Sequence, residues 1–550
     1  MVFENLGRNY QKLTFLIPLS ISLSIIVNFY TLPGITADGH IYLQIARNIR
    51  YGIGLGWQAL WCPPMHSILI ALVSWLPGVP DIHAAAGIVA PLMGVLLPVA
   101  VYFLAAGIFS RPVAVAAAIV TAAFPQFLFL SFSTDADITY TVFLISALAL
   151  LHATAKRRSY ILAVLAGIFF SLAYQTRSEG FLVMLFTFAV LCASEGLRFY
   201  RSFLLKCCVV TLLAFLLASS PYLLFLKKHY GTVMISPKST YVLIWMKSRI
   251  YHDNDRGETG NEELWGLSPD GKYSWQHPSG IGDIASYLMT HPEKSLRVYL
   301  SNLSQEIPGR IPNNSGCLHY PQVYPVYIVA LALFMAFRRW DSKSEYGKAI
   351  LFSPFLLLFV LPVFTEGWWK YLVPYSPLIF IAGSAGLFQL TKWTMLRFRK
   401  QDGAHIATVA SLTIATLVAG YYLSLRVVKQ APAVTGSSPA RAVFAEETKK
   451  AAEMARQRFG PGRNYMVSWN KMIYYLDGLW TAAPVTDFSS MMNFAVRNNV
   501  DYLVREIEAS KISAADVAAT PPGLRLAAVY QSPRIDYAVI FYQIERRTYE

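Results

Sequence analysis

The sequence is poor in charge and in cysteine. Only 14% of its 550 residues are Asp, Glu, Lys or Arg, against about a quarter in an ordinary soluble domain. Its five cysteines are scattered and show neither the paired spacing of a zinc site nor a disulfide framework. These deficits exclude an ordinary soluble enzyme, a cysteine-ligated zinc protein and a small disulfide-stapled secreted domain.

Hydrophobic residues make up 55% of the chain instead, and they lie in runs long enough for a bilayer, which needs about 20 residues. The first run, 13–33, follows Arg8 and Lys12. It is too long for a signal peptide and lacks a small-residue cleavage site, so we expect a membrane helix. The runs predict about eleven spans, at 13–33, 84–107, 112–132, 138–154, 159–176, 180–195, 203–226, 323–337, 347–364, 371–391 and 404–425.

Lysine and arginine concentrate in alternate connections between these spans, as at 156–158 and 392–400. The positive-inside rule makes that face cytoplasmic. The N-terminus is then inside, and residues 430–550 follow the last span outside the cytoplasmic (inner) membrane. Since most positive charges flank apolar helices, the net charge of +15 indicates contact with membrane lipids and not with nucleic acid.

The predicted organisation is a transmembrane domain at 1–429, with outer loops at 34–83 and 227–321, and a soluble domain at 430–550. In the soluble domain, a helix between Pro439 and Gly460 precedes short β-like runs, at 465–469, 502–505, 526–530 and 537–542. We therefore predict an all-α polytopic membrane domain with a small extracytoplasmic α/β domain at its C-terminus.

Ionisable residues gather at the outer ends of the predicted spans. Charge at membrane depth is costly and tends to face a cavity or a partner, and a mixture of carboxylates and cations suits a site that activates a hydroxyl and holds a phosphate. Each residue also has a structural interpretation, as a solvated loop charge, an ion pair or a helix cap. The candidates are Asp38, Asp135, Asp137, Arg177, Glu179, Lys227, Lys228 and Lys370.

Four short segments resemble motifs of the GT-C glycosyltransferases that use polyprenyl-phosphate sugars, the group of the protein O-mannosyltransferases and the lipid A aminoarabinose transferases. ADGHIYLQIAR at 37–47 is similar to their acidic first-loop motif, and PPMHSILI at 63–70 to their Pro-Pro helix. GIFFSLAYQTRSEG at 167–180 and KYLVP at 370–374 resemble two further motifs. The segments occur in the family's order along 1–400, and an outward C-terminal domain also fits this resemblance.

The resemblance implies transfer of a sugar from a polyprenyl-phosphate donor to a lipid, glycan or protein acceptor, with inversion at the anomeric carbon. Asp38 would be the general base that takes the acceptor's hydroxyl proton. Asp135 or Asp137 would be a second acidic residue that orients the acceptor or the sugar.

Cations would stabilise the charge that builds on the leaving phosphate. The resemblance assigns this role to Arg177 and Lys370, with Lys227 and Lys228 behind them. Lys370 stands where the family usually has arginine, and a lysine keeps the charge without the bidentate fork. Further implied substrate contacts come from Glu179, His66 and Tyr42.

Two other functions compete with the enzyme. A transporter or flippase of lipid-linked sugars would favour inverted repeats and charge at the midplane, whereas here the charges lie at helix ends and no repeat is visible. A non-catalytic subunit of a cell-envelope complex is the third hypothesis. Among the site residues, His66 also has a structural interpretation, as a core histidine. No cofactor is expected to be required, although the outer carboxylates could bind a divalent cation.

Overall fold

The structure is a computed structural model and describes most of the chain. The described residues are 14–28, 30, 35–36, 38–79, 81–193, 201–236, 238–245, 247, 265–268, 270–273, 276, 281–305, 345–360, 363, 368–397, 403–424, 439–467, 472–476, 478–507 and 520–545. The span predicted at 323–337 lies outside them.

The chain forms two compact units, each built from three separate stretches. The helical unit comprises Met1–Gly34, Cys62–Ile235 and Leu296–Pro432. The sheet unit comprises the remaining stretches, Ile35–Trp61, Ser236–Ser295 and Ala433–Glu550. The stretch that the sequence predicts as one outer loop, 34–83, is therefore divided between the two units just before the Pro-Pro pair.

The long helices of the helical unit follow apolar runs of the sequence, whereas helices such as Gly39–Arg50 and Pro439–Phe459 are amphipathic or polar. In chain order the helices are α1 (Leu16–Asn28), α2 (Gly39–Arg50), α3 (Gln58–Trp61), α4 (Met65–Ser74), α5 (Ile82–Ile108), α6 (Arg111–Ala123), α7 (Pro125–Ser131), α8 (Asp137–Arg157), α9 (Tyr160–Tyr174), α10 (Glu179–Ala193), α11 (Arg201–Tyr230), α12 (Lys238–Trp245), α13 (Ile281–Thr290), α14 (Pro292–Gln305), α15 (Glu345–Phe352), α16 (Leu356–Val360), α17 (Ser376–Arg397), α18 (Gly403–Ser424), α19 (Pro439–Phe459), α20 (Met472–Leu476) and α21 (Phe488–Arg497). Among the described residues, Ser353–Phe355 and Trp368–Tyr375 are 3₁₀ segments.

Within the described residues, four helices are long and apolar enough to cross a membrane: Ile82–Ile108, Asp137–Arg157, Phe203–Tyr230 and Val373–Thr394. A fifth span results if α6 and α7, which meet at a bend of 59°, count as one. Shorter apolar helices lie at other predicted positions, among them α1, α9 and α10. These helices support a membrane location, and the count of about eleven spans stays a prediction.

Glycine at 167 allows α9 and α11 to pack closely. A Cβ built at Gly167 would lie 2.3 Å from the carbonyl oxygen of Thr211 and 3.0 Å from the backbone nitrogen of Phe215. Backbone atoms cannot rotate away as a side-chain end can, so any larger residue would push the two helices apart. The close approach holds α9 in place, and α9 leads directly into the Thr-Arg-Ser-Glu-Gly segment.

The sheet unit contains a five-stranded sheet in the order β2-β1-β3-β5-β4. The strands are β1 (Asn464–Val467), β2 (Leu479–Ala482), β3 (Tyr502–Ile507), β4 (Leu524–Gln531) and β5 (Ala538–Ile544). β1 runs parallel to both β2 and β3, whereas β5 is antiparallel to β3 and β4. The runs predicted from the sequence coincide with β1, β3, β4 and β5, and β2 at the edge was missed.

Helix α19 is tied to the sheet through a carboxylate with no solvent exposure. Glu447 accepts hydrogen bonds from Lys450 Nζ at 2.8 Å and from Tyr530 OH on β4 at 2.7 Å. These two bonds stabilise the charged form of the side chain and lower the pKa of Glu447 to about 2. A carboxyl group whose pKa falls on folding stabilises the folded state above its unfolded pKa, and this contribution disappears as the pH drops.

We therefore expect the sheet unit to lose stability as the pH falls from about 4.5 towards 2, and Glu447→Gln to flatten this dependence. Thermal unfolding of the purified protein in detergent, followed by tryptophan fluorescence across this range, measures the effect. Glu453→Gln is the matched control, because Glu453 is on the same helix but half exposed. Equal pH dependence in wild type and Glu447→Gln would contradict the assignment.

Candidate active site

A tight turn between α9 and α10 carries the Thr-Arg-Ser-Glu-Gly segment. The amide of Arg177 donates to the carbonyl of Ala173 at 2.8 Å, and the amide of Gly180 donates to the carbonyl of Arg177 at 3.0 Å. A Cβ at Gly180 would lie 2.8 Å from the backbone nitrogen of Tyr174. The turn therefore closes this tightly because residue 180 has no side chain.

We expect Gly180→Ala to destabilise the protein by about 1–3 kcal/mol, the usual cost of overpacking, and to displace the Arg177 turn. The measurement is the thermal unfolding midpoint of the purified protein in detergent. Gly420→Ala is the matched control, since Gly420 also lies in an apolar helix but a Cβ added there would have nothing within 4 Å. Similar midpoints for the two variants would show that the turn tolerates a side chain.

Arg177 lies at the centre of an ion-pair cluster. Its guanidinium donates to a carboxylate oxygen of Asp137, the first residue of α8, and to Glu179 Oε1 at 3.1 Å. The side chains of Arg177, Asp137 and Glu179 are 17%, 24% and 16% exposed, respectively. The ion pair of Arg177 with Glu179 fits the structural interpretation of these residues, and the cluster combines two carboxylates with one cation at the ends of three helices.

Two tyrosine rings lie within cation–π distance of the same guanidinium. The Arg177 Cζ atom is 5.8 Å from the ring centroid of Tyr140 and 5.1 Å from that of Tyr371. The hydroxyls of Tyr140 and Tyr375 are 3.1 Å apart. Tyr371 and Tyr375 both belong to the 3₁₀ segment that contains the Lys-Tyr-Leu-Val-Pro motif, so this motif meets the Arg177 turn. The aromatic faces stabilise the cation.

The Pro-Pro helix joins the same part of the helical unit. The amide of Met65, the first residue of α4, donates to the carbonyl of Gln175 in the Arg177 turn at 2.8 Å. His66 is fully buried, and its Nδ1 lies 2.9 Å from Thr139 Oγ1 on α8, two residues after Asp137. His66 therefore supports the arrangement of α4 against α8, which fits the structural interpretation of this residue.

Asp38 precedes α2 in the sheet unit. Its carbonyl accepts from the amide of Ile41 at 3.0 Å, whereas its side chain makes no capping hydrogen bond. The residue is exposed, and within the described part of the chain its carboxylate has no ion-pair partner. Asp137 and Glu179 are both ion-paired with Arg177, so Asp38 differs from them in having an exposed carboxylate without such a pair. Tyr42, one turn further along α2, is buried.

The other predicted residues have distinct positions. Asp135 is half-buried in the segment before α8, where its amide donates to Ser133 Oγ at 3.2 Å. Lys227 and Lys228 are exposed near the end of α11, and no described contact joins them to Arg177. Lys370 lies in the 3₁₀ segment, but its side chain is outside the described residues. Among the described residues, no three His, Cys, Asp or Glu side chains are grouped as metal ligands.

Sequence reasoning missed Tyr140 and Thr139 as parts of this site. Tyr140 follows Asp137 by three positions, a spacing that puts the two residues on one face of α8. That signal was present in the sequence, but a tyrosine in an apolar span is usually an ordinary core residue. The ring of Tyr371 was inside the motif that pointed to Lys370.

Comparisons with known proteins agree with the family predicted from the motifs. Residues 62–225 match the model of the dolichyl-phosphate-mannose-protein mannosyltransferases, a stretch that includes the Pro-Pro pair, Asp137 and Arg177. No sequence of a curated protein matches the chain.

Solved structures show the same fold. The archaeal oligosaccharyltransferase AglB from Archaeoglobus fulgidus, in complex with an inhibitory peptide and a dolichol-phosphate, is 15% identical with a TM-score of 0.55, over 90% of this chain and 69% of that chain. ArnT from Cupriavidus metallidurans, bound to undecaprenyl phosphate, is 13% identical with a TM-score of 0.57, over 96% and 97% of the two chains. In its apo state ArnT gives a TM-score of 0.54 at 14% identity.

Proposed function

The chain has the GT-C fold of membrane glycosyltransferases, and we propose that it is an inverting glycosyltransferase. It moves a sugar from a polyprenyl-phosphate donor to a lipid, glycan or protein acceptor at the outer face of the cytoplasmic membrane. The observation that carries the proposal is the convergence on Arg177 of three segments far apart in the sequence. These are the Asp137 helix, the Arg177 turn and the Tyr371 segment.

The donor class is supported by the solved relatives. AglB was solved with a dolichol-phosphate and ArnT with undecaprenyl phosphate, and both ligands are polyprenyl phosphates. In this chain, carboxylates and aromatic rings hold the guanidinium of Arg177 in place. A fixed cation stabilises a leaving phosphate without having to reorganise during the reaction.

Asp38 is the proposed general base. Its carboxylate accepts the proton of the acceptor hydroxyl while that oxygen attacks the anomeric carbon of the donor. The bond between this carbon and the phosphate oxygen breaks, the polyprenyl phosphate leaves with the electron pair, and the configuration inverts. Asp135 or Asp137 orients the sugar or the acceptor, and Lys370 with Lys227 and Lys228 supply further positive charge for the phosphate.

The direct test uses purified wild-type protein in proteoliposomes. These contain a polyprenyl-phosphate sugar donor whose sugar group is radiolabelled. We expect label to pass to an acceptor from the envelope lipid, glycan or protein fraction, and NMR of the product to show the anomeric configuration opposite to that of the donor. Movement of the labelled donor across the bilayer without transfer would identify a transporter instead. Retention of configuration in the product would refute the inverting mechanism.

A further inference from the structure

Strand β2 forms one edge of the sheet, and side chains from elsewhere in the sheet unit cover this edge. The amide of Leu479 on β2 donates to the carbonyl of Arg463, just before β1, at 2.8 Å, and the amide of Ala483, just after β2, donates to the carbonyl of Val467 at 3.0 Å. Because backbone groups alternate along a strand, the carbonyls of residues 478, 480 and 482 face the opposite side, where the described part of the chain places no further strand. An uncovered edge of this kind can pair with other chains, so what covers it is informative.

Residues on and just after α2 cover the first part of this edge. Gln44 Nε2 donates to the carbonyl of Gly478 at 3.0 Å. Trp57 Nε1 and Gln58 Nε2 both donate to the carbonyl of Trp480, at 3.0 and 3.2 Å. Gln44 and Gln58 are buried, and buried amides without hydrogen-bond partners are costly, so these contacts fix where α2 lies on the sheet. We call these three hydrogen bonds, from Gln44, Trp57 and Gln58 to the carbonyls of Gly478 and Trp480, the edge clamp.

Polar and aromatic contacts reinforce the edge clamp. Asn48 Nδ2 donates to Gln58 Oε1 at 3.2 Å and so links α2 to the residues after it. The rings of Trp57 and Trp480 are 4.9 Å apart, and the rings of His40 and Trp480 are 5.4 Å apart. The side chains that join α2 to β2 are therefore spread along the whole helix, from its first turn to beyond its end.

The backbone next to Asp38 is rigidly attached to this helix. The amide of Ile41 donates to the carbonyl of Asp38 in the first turn, and the amide of Gly39 donates to Thr36 Oγ1 at 3.0 Å. A shift of α2 on β2 would therefore move the Asp38 carboxylate by a similar distance. We propose that the C-terminal sheet positions the general base, and that Gln44 and Trp57 are positioning residues that act through the edge clamp. This inference rests on the proposed function of Asp38.

The same edge offers a matched control. Tyr273, from a different stretch of the chain, donates its hydroxyl to the carbonyl of Ala482 at 2.5 Å. This bond covers the third outward carbonyl of β2 and is buried, and its donor lies outside the 35–61 stretch that carries Asp38. The Tyr273 ring also contacts the Trp57 ring, with centroids 6.1 Å apart. Tyr273→Phe therefore removes one edge hydrogen bond and keeps this ring contact.

The experiment compares Gln44→Met, Trp57→Phe and Tyr273→Phe in the full-length protein. Misplacing a reacting group by about 1 Å can cost up to about 100-fold in rate, so we expect the first two variants to lower kcat by about tenfold or more. KM for the polyprenyl-phosphate sugar and the Kd for polyprenyl phosphate should not change. Tyr273→Phe should keep the wild-type kcat. An equal loss of kcat in all three variants, or a wild-type kcat in both Gln44→Met and Trp57→Phe, would overturn the proposal.

Hydrogen–deuterium exchange tests the contact between α2 and β2 independently of sugar transfer. Amides of residues 39–50 should exchange faster in Gln44→Met and Trp57→Phe than in wild type, and at the wild-type rate in Tyr273→Phe. If the amides of residues 39–50 exchange at the wild-type rate in Gln44→Met and Trp57→Phe, the edge clamp does not hold α2 in place, whatever the rates of sugar transfer. If wild-type protein transfers no sugar, the proposed function fails, and faster exchange confined to the two clamp variants would still support the contact between α2 and the sheet.

Discussion

Asp38→Asn should transfer sugar about 100- to 10,000-fold more slowly than wild type, the range expected when a general base is lost. The amide has the size of the carboxylate but cannot take the acceptor's proton. Because the side chain of Asp38 is exposed and makes no capping bond, the substitution should leave folding and donor affinity unchanged. Single-turnover transfer in proteoliposomes measures the rate, and equilibrium binding of polyprenyl phosphate measures the affinity.

Asp81→Asn is the matched control for this substitution. Asp81 is also an exposed aspartate directly before a helix, where its carboxylate accepts from the amide of Ala84 at 2.7 Å. Asparagine caps a helix about as well as aspartate, so this variant should transfer at the wild-type rate. Wild-type transfer by Asp38→Asn would remove Asp38 from the mechanism. A slow rate together with weak donor binding would instead assign it to donor binding.

Some of the predicted spans coincide with single long helices, because an uninterrupted apolar run is a strong signal for a membrane-spanning helix. The span predicted at 84–107 is the helix Ile82–Ile108, and the span at 138–154 is Asp137–Arg157. The span predicted at 112–132 is instead two helices that meet at a bend of 59° before Pro125. Proline lacks the amide that an unbroken helix needs, so the signal for the break was in the sequence, but hydropathy alone does not detect it.

The edge strand β2 and its clamp could not be predicted from the sequence. Leu-Trp-Thr-Ala at 479–482 is too short to show the alternation that identifies a strand. Gln44 lies on an amphipathic helix, and its partner at residue 478 is distant in the chain, so no local pattern indicates the contact. The grouping of Ile35–Trp61 with the C-terminal residues depends on such contacts and is visible only in the folded protein.

The motifs name the charged residues of the candidate site but do not indicate how these residues pair. Arg177 and Glu179 are neighbours in the sequence, so their ion pair was a natural expectation. Asp137 reaches the same guanidinium from another helix, and that contact follows from packing of α8 against α9. The sequence therefore named the charged residues, whereas the structure shows which of them pair, and Asp38 is an exposed carboxylate outside that cluster.

Arg177→Met should be the most destabilising substitution in the site, since it leaves Asp137 and Glu179 without their shared cation. Breaking a fully buried ion pair costs about 3–5 kcal/mol, and because these carboxylates are 24% and 16% exposed we expect about 2–3 kcal/mol. Sugar transfer should fall by about 100-fold or more if the guanidinium also stabilises the leaving phosphate. Thermal unfolding and single-turnover transfer measure the two effects.

The two roles of Arg177 can be separated in a background where the carboxylates are neutral. In the variant Asp137→Asn/Glu179→Gln, Arg177→Met no longer strands a negative charge, so its cost in stability should largely disappear. A comparison within this background isolates the contribution of the guanidinium to transfer, by the logic of a mutant cycle. If Arg177→Met still slows transfer there by about 100-fold, the cation acts on the substrate. If the rate is the same with and without Arg177, the residue serves only to hold α8 and α10 together.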